Sequence, residues 1–160
     1  MATLNYLNNT WNIKYVDPSL TTGNNDGSTP ADALHDLPAP SSMADLDCYL
    51  IRRTAVGSEC TLQTGTYPIS TGGRIMFLGM PTSNMPLYNE LPTEVQTAWG
   101  GDTEQWARID KSVQTAHSEF NNTDIFVLKN IYYTINTAIQ NKNNYSAFYI
   151  HRSDYNNSKG

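Results

Sequence analysis

The sequence predicts an all-β protein in which short strands stack on one another as the coils of a solenoid. Three observations predict it: an apolar strand pattern recurs after 22 residues, no amphipathic helix of three or more turns is visible, and the connections between strands are long and irregular. A β-sandwich would instead favour strands joined by tight two-residue hairpins. The repeat runs in one direction along the chain and therefore fits a parallel β-helix better than a sandwich.

The repeat lies in the last third of the chain. Three pairs of residues share the 22-residue spacing: Phe126 and Phe148, Leu128 and Ile150, and Tyr133 and Tyr155. Matched positions alternate with variable ones, as expected when one face of a strand is buried and the other is exposed to solvent. A period in the low twenties indicates a solenoid, because one coil cannot bury its apolar face without a neighbour.

The remaining elements follow in chain order. A first strand begins at Tyr15 and ends at Asp17-Pro18, and a dense turn cluster follows over residues 23–30. The later strands are short apolar runs bounded by Gly, Asn, Asp and Ser turns; they lie near residues 49–54, 74–78, 106–109, 125–133 and 147–155.

The longest irregular stretch covers residues 80–105, and we expect it to protrude from a coil as a loop. Within it, residues 92–99 predict one or two helical turns. The predicted organisation has two parts. Residues 1–40 form an extended N-terminal arm that attaches to a partner and caps the coils. Residues 41–160 form the coils themselves.

Composition excludes two classes of partner. Hydrophobic residues make up 39% of the chain and charged residues only 16%, with a net charge of −5 and a pI near 5.0. The chain has no basic cluster, so we expect no nucleic-acid binding. No stretch approaches 18 apolar residues, so we expect no membrane span. The start lacks a basic region followed by an apolar one and does not resemble a signal peptide.

Two cysteines, Cys48 and Cys60, are too few for a disulfide framework or, without nearby histidines, for a zinc site. The sequence favours reduced, partly buried thiols over a disulfide between them, because a free cysteine behaves as a small hydrophobe.

Several segments, taken in order, resemble the opening of right-handed parallel β-helix proteins of the pectate-lyase-like superfamily. They are Tyr15-Val16-Asp17, Asn25-Asp26-Gly27-Ser28, Ala33-Leu34, Tyr49-Leu50-Ile51-Arg52-Arg53, Gly65-Thr66-Tyr67 and Ile75-Met76-Phe77-Leu78-Gly79. The resemblance covers residues 15–79 and 106–155. It implies an extended N-terminal arm followed by the first coils of such a helix.

Domains of this superfamily occur in polysaccharide lyases, glycoside hydrolases and bacteriophage tailspikes and fibres. This chain departs from the enzymes, because only four or five coils can be drawn and residues 157–160 follow a strand without a capping helix. An uncapped coil exposes apolar side chains and unpaired edge groups. We therefore expect that more chain or other subunits cover that end.

The resemblance, the missing signal peptide and the uncapped end together imply a structural or adhesion component of a bacteriophage particle. The N-terminal part would anchor the chain to the particle, and the β-helix would project from it. The expected site of action is the virion, after synthesis in the host cytoplasm. Expected partners are other virion subunits, a homo-oligomer such as a trimer, and a host surface glycan. The alternatives are a polysaccharide lyase or glycoside hydrolase truncated before its catalytic coils, and a small carbohydrate-binding module.

Candidate catalytic residues for glycan cleavage are carboxylates near the predicted strands. Lyases and hydrolases need a base or paired carboxylates at a set separation. The residues that would line such a groove are Asp110, Asp124, Arg152 and Asp154. The sequence favours the simpler interpretation, in which they are solvated side chains on coil turns. It leaves enzyme activity of these 160 residues undecided, with the balance against it.

Two further groups of residues have a binding interpretation and a structural one. Trp99 and Trp106 flank a Gly-Gly-Asp turn, where exposed indoles would stack on a sugar ring or would anchor the loop. The oxygen-rich residues Asp17 and Asn24-Asn25-Asp26 suggest calcium or a turn, and the turn is favoured because the alternation of a calcium loop is missing. We predict no metal and no cofactor.

Overall fold

A computed structural model of the chain describes residues 1–63, 65–67, 73–110, 118–120, 123–135, 140–141, 147–151 and 154–157. These residues are mostly sheet with few helices, as expected of the all-β class. The one described α-helix, α1 (Thr93–Trp99), lies where the sequence predicts helical turns. Short 3₁₀ turns cover Pro30–Asp32, Pro40–Ser42 and Tyr88–Glu90.

The described strands form three sheets. Numbered along the chain, they are β1 (Thr3–Tyr6), β2 (Asn9–Val16), β3 (Asp47–Ile51), β4 (Cys60–Thr61), β5 (Gly65–Tyr67), β6 (Gly73–Gly79), β7 (Ala107–Asp110), β8 (Ser118–Phe120), β9 (Thr123–Lys129), β10 (Ile131–Ile135), β11 (Gln140–Asn141), β12 (Ala147–His151) and β13 (Asp154–Asn157). Sheet A has the order β1-β2-β3-β6-β9-β12, sheet B the order β13-β10-β7-β4, and sheet C the order β11-β8-β5.

The chain visits these sheets in a fixed order. From β3 onward it enters sheet A, then B, then C, and the succession is β3-β4-β5, β6-β7-β8, β9-β10-β11 and β12-β13. Strands β1 and β2 form an antiparallel hairpin, whereas every other strand ladder in the described part of the chain is parallel. Parallel neighbours need a crossover between them. Here the strands of the other two sheets supply it, so the pairing is not that of an antiparallel sandwich.

The 22-residue repeat appears as direct backbone neighbours. Phe148 pairs with Phe126 and Ile150 with Leu128 in sheet A. The third repeated pair also matches, because Tyr133 pairs with Tyr155 in sheet B. The predicted stacking of the two copies is therefore confirmed.

The structure corrects the bounds of the repeated strands. The segment near 125–133, predicted as one strand, is divided into β9 and β10 at Asn130, which has a φ of 57°. The segment near 147–155 likewise contributes two described strands, β12 and β13. An asparagine tolerates this left-handed backbone better than most residues do. Each copy therefore contributes one strand to sheet A and one to sheet B.

Buried side chains form two clusters. The inner core contains Val16, Leu37, Met43, Tyr49, Ile51, Cys60, Leu62, Ile75, Phe77, Ala107, Ile109 and Ile131. The outer core contains Leu4, Trp11, Ile13, Tyr15, Ala33, Cys48, Leu50, Met76, Leu78, Met80, Leu91, Val95, Trp99 and Val127. Alternate residues of β3 and β6 belong to different clusters, so these strands are buried on both faces. This explains their nearly continuous apolar sequence.

The segment 80–105 and the N-terminal hairpin contribute to the outer core. Leu91, Val95 and Trp99 are each at most 4% exposed. The segment connects β6 to β7 and lies against sheet A instead of standing away from it. From the hairpin, Trp11 is fully buried and donates its Nε1–H to the Tyr6 carbonyl at 2.8 Å. Part of the predicted arm is thus a component of sheet A, and its role in attachment stays a prediction.

Three leucines adopt the left-handed backbone that bulky residues usually avoid. Leu7, Leu46 and Leu87 have φ values of 52°, 66° and 74°. All three pack against the outer core. Because the left-handed conformation costs about 1–2 kcal/mol per residue, burial of these side chains has to offset strain at the turns that border the core.

Both cysteines are free and fully buried, as the sequence favours. Cys48 belongs to the outer core and Cys60 to the inner core, so the structure does not contain the alternative disulfide. Burial raises the pKa of both thiols above the ordinary value. Neither thiol is therefore poised as a nucleophile.

We expect both thiols of the native protein to resist a chromogenic aromatic disulfide at neutral pH, since they are neutral and inaccessible. Unfolding in guanidinium should expose both cysteines of the chain. Rapid colour development by the folded protein would contradict this burial.

Candidate functional site

The candidate site is a polar cleft at the carboxyl end of β3. Two arginines, Arg52 and Arg53, follow that strand directly, and both contact the segment that leads from α1 to β7. Nine residues line the cleft, which has a volume of about 230 Å³: Ser19, Arg52, Arg53, Thr54, Ala55, Ser58, Asp102, Thr103 and Glu104.

Arg52 joins two loops. Its Nε and Nη2 donate to the two carboxylate oxygens of Asp102 at 3.0 and 2.9 Å, and its Nη1 donates to Asp17 at 2.9 Å. The bidentate geometry is the strong form of an arginine–carboxylate pair. Hydrogen bonds to Asp102, and then to Asp17, raise the pKa of Arg52 despite partial burial. Asp17 is 1% exposed and also accepts from the backbone N–H and the hydroxyl of Ser19.

Arg53 is almost completely buried, with 4% exposure. It donates from Nη1 to the Glu104 carbonyl at 2.9 Å, and from Nη2 to the Trp99 and Gly100 carbonyls at 3.3 and 3.4 Å. Its buried Nε–H has no acceptor among the described residues. Burial lowers the pKa of Arg53 from the ordinary value. The guanidinium lies at the carboxyl end of α1, where a cation satisfies exposed carbonyls.

The sheet also holds α1 through a tyrosine. Tyr15 is fully buried in β2, and its hydroxyl donates to the Glu94 carboxylate at 2.7 Å. Its ring meets that of Trp99 edge to face, with centroids 5.7 Å apart and planes at 87°. Burial, and then the Glu94 hydrogen bond, raise the pKa of Tyr15. The wall of the cleft that follows α1 is therefore fixed to sheet A at several points.

The two tryptophans proposed for sugar stacking have different environments. Trp99 is 2% exposed and lies in the outer core against Tyr15, so its ring offers no free face to a ligand. This arrangement matches the alternative interpretation, in which the indole anchors the loop. Trp106 is half-buried and directly precedes β7.

Three of the four candidate catalytic residues lie in described strands, and these three are distributed over two sheets. Asp110 is half-buried at the end of β7, and Asp154 begins β13, both in sheet B. Asp124 lies in β9 of sheet A. Arg152 is outside the described residues.

The register within sheet B offsets the first two of these candidates. Asp154 pairs with Tyr132, which pairs with Arg108, whereas Asp110 pairs with Thr134. The two aspartates are therefore two positions apart along the strands, and their catalytic pairing stays a hypothesis without support from the backbone.

The proposed calcium residues make turn contacts. Asn25 Oδ1 accepts from the His35 N–H at 2.7 Å, and Asp26 Oδ1 accepts from the Ser28 N–H at 2.8 Å. Asp17 binds Arg52. The Asp26–Ser28 bond is the local side-chain-to-backbone contact expected in a turn, whereas the Asn25 and Asp17 bonds join more distant parts of the chain. Within the described part of the chain, no group of three or more metal-ligating side chains is present.

The arginine contacts are not recognisable as a site from the sequence alone. The available signal was a pair of arginines immediately after a buried strand, together with an aspartate after Gly100-Gly101. No spacing rule joins Arg52 to Asp102, because the contact spans a segment whose path is set by tertiary packing.

We expect the Arg52–Asp102 pair to contribute more to stability than an exposed ion pair. In a double-mutant cycle with alanine at both positions, the expected coupling is about 1–2 kcal/mol by urea unfolding. The matched control is the Arg74–Asp45 pair, whose side chains are 32% and 41% exposed. Its coupling should stay below about 1 kcal/mol. Equal couplings for the two pairs would contradict the anchoring role.

Comparisons with protein-family models, with curated proteins and with solved structures found no match. Among the described residues, no helix is both long and apolar enough to cross a membrane.

Proposed function

We propose that the three sheets are the faces of a right-handed parallel β-helix, and that the protein is a structural or adhesion component of a bacteriophage particle, such as a tail spike or fibre. The observation that carries the proposal is the repeated A-B-C order of parallel strands. The sequence resemblance supplies the handedness and the class of particle.

A stack of coils suits a projecting appendage. Each coil contacts only its neighbours, so the structure extends in one dimension and its stability accumulates coil by coil. The described ladders support this, because β6, β9 and β12 each pair in parallel with the sheet A strand before them, with one register shift between Gly73 and Arg74. The polar, weakly charged composition gives such a rod a surface rich in uncharged hydrogen-bonding groups.

Residues 1–40 are proposed to make contacts with other virion subunits, including copies of this chain. Strand β1 supports this role, since it forms one edge of sheet A. An edge strand presents unpaired backbone groups to a partner. Polar residues are exposed at and near the hairpin turn. Asn5, Asn8 and Thr10 are exposed and Asn9 is half-buried, which suits a hydrated interface.

The test is immunogold electron microscopy with antibodies against the purified chain, applied to phage particles from lysates of the source that encodes it. Label on an appendage of intact particles is the expected result. Label confined to soluble lysate protein, with particles unlabelled, would overturn the proposal. Native mass measurement of the purified chain checks the proposed homo-oligomer.

The glycan-degrading alternative receives no specific support from the described residues, because Asp110 and Asp124 lie in different sheets. It predicts release of reducing ends or unsaturated products from capsular polysaccharide. Under the proposed function, neither product should form.

A further inference from the structure

We propose that the cleft beside Arg52 binds one neutral sugar unit through its hydroxyl groups. This inference rests on the proposed adhesion function and adds the place of binding and the class of ligand. It is carried by three properties of the lining residues: balanced charge, unused hydrogen-bonding capacity, and a fixed position.

The charged residues of the lining cancel. Arg52 and Arg53 supply two positive charges, and Asp102 and Glu104 supply two negative charges. Arg52 is already shared between two carboxylates. An anionic ligand would therefore compete with existing ion pairs and meet the Glu104 carboxylate, whereas a neutral ligand leaves the pairs intact. This balance favours a polyhydroxyl ligand over a uronate or a phosphate.

The lining retains donors and acceptors for such a ligand. The Arg52 contacts use three of its five N–H groups, and its side chain is 30% exposed. Glu104 is half-buried, and its carboxylate has no partner among the described residues. The hydroxyl of the exposed residue Ser19 donates to Asp17, which leaves its oxygen free to accept. Adjacent donors and acceptors of this kind match neighbouring hydroxyls of a sugar ring.

The site is held in place before any ligand arrives. Arg53 and Thr54 are only 4% and 5% exposed. The opposite wall, residues 102–104, is fixed by the bidentate Arg52 contact and by the Arg53 bond to the Glu104 carbonyl. A prearranged polar site loses less freedom on binding than a mobile one. At about 230 Å³, the cleft is smaller than the usual drug-sized pocket, which favours one ring over several.

The experiment is a two-dimensional ¹H–¹⁵N NMR titration of the full chain with D-glucose, D-galactose, D-mannose and N-acetyl-D-glucosamine at up to tens of millimolar. D-Glucuronate and inorganic phosphate are the charged comparisons. The expected result is saturable shifts of amides in residues 52–58 and 102–104 with at least one neutral sugar. Absence of shifts there with every neutral sugar, or tighter binding of glucuronate or phosphate, would overturn the proposal.

The test variant is Glu104→Ala, which removes the carboxylate but keeps the backbone carbonyl that Arg53 binds. Affinity for the neutral sugar should fall by about tenfold. The control is Glu90→Ala, an exposed carboxylate in the 3₁₀ turn outside the lining, and its affinity should match the parent. Equal loss in both variants would overturn the assignment. The spectrum of each variant reports whether it is folded.

Failure of this titration is distinguishable from failure of the proposed function. Labelled virions with no sugar-induced shifts would reject only the cleft as a sugar site. Sugar binding at the cleft with unlabelled virions would reject only the particle assignment.

Discussion

The Gly79→Ala variant is expected to lose about 3 kcal/mol or more of its unfolding free energy, because the site has no room for a methyl group. A Cβ at Gly79 would lie 2.0 Å from the Asn130 carbonyl oxygen and 2.9 Å from the Ala107 Cβ. Asn130 joins β9 to β10, so its backbone cannot retreat without disturbing sheets A and B together. Urea unfolding followed by far-ultraviolet circular dichroism measures the loss.

Gly101→Ala is the matched control. A Cβ at Gly101 would meet no atom within 4 Å, and its backbone is not among the positive-φ positions. Its stability should stay within about 0.5 kcal/mol of the parent. Equal stability of the two alanine variants would contradict the close approach of Gly79 to the Asn130 backbone.

The Trp99→Ala variant should lose about 3–5 kcal/mol, as expected for removal of a buried tryptophan from a packed core. The indole is 2% exposed and contributes the ring contact with Tyr15 that joins α1 to sheet A. Trp106→Ala, at a half-buried position, should lose distinctly less. Chemical unfolding of both variants gives the comparison.

The same variant distinguishes the two cores. Trp99 and Cys48 share the outer core, whereas Cys60 lies in the inner core. In folded Trp99→Ala protein, Cys48 should therefore react with the thiol reagent before Cys60 does, as read by mass spectrometry of labelled peptides. Simultaneous labelling of both thiols would contradict separate clusters.

The repeated strands were predictable because their pattern is local. Phe126 and Leu128 alternate with variable residues, and the spacing to Phe148 is conserved across the repeat, which indicates stacking without any knowledge of the turns. The division at Asn130 was not predicted, since an apolar residue follows it at once and the left-handed φ leaves only a weak signal in the sequence.

The N-terminal hairpin was not predicted, because its turn is atypical. Leu7 and Asn8 both have positive φ at the turn between β1 and β2. Asparagine and glycine normally mark such turns, whereas leucine does not. The leucine is accepted there because its side chain packs against the outer core. Tertiary packing thus overrides the local preference.

The arginine-lined cleft could be identified only from the three-dimensional structure. Arg52 and Asp102 are brought together only after the segment 80–105 packs on sheet A, and Arg53 depends on where α1 ends. Conversely, Asp110 and Asp124 are close in sequence but belong to different sheets. Residue type identified candidate groups, whereas the assignment of strands to sheets determines which of those groups lie close together.

The parallel, in-register stacking of successive coils is the central claim, and an engineered disulfide tests it directly. Tyr132 pairs with Asp154 in the ladder between β10 and β13, whereas Asn156 is two positions further along. Neighbouring strands place paired Cα atoms about 5 Å apart, and a two-residue offset places them about 8 Å apart. Only the first separation fits a disulfide.

The measurement is mass spectrometry of the two double-cysteine variants after mild oxidation of the native chain. The Tyr132→Cys/Asp154→Cys variant should form the intramolecular bond readily, and the Tyr132→Cys/Asn156→Cys variant should remain largely reduced. Preferential bonding of the second variant, or bonding of neither, would contradict the parallel register on which the proposed β-helix and its function depend.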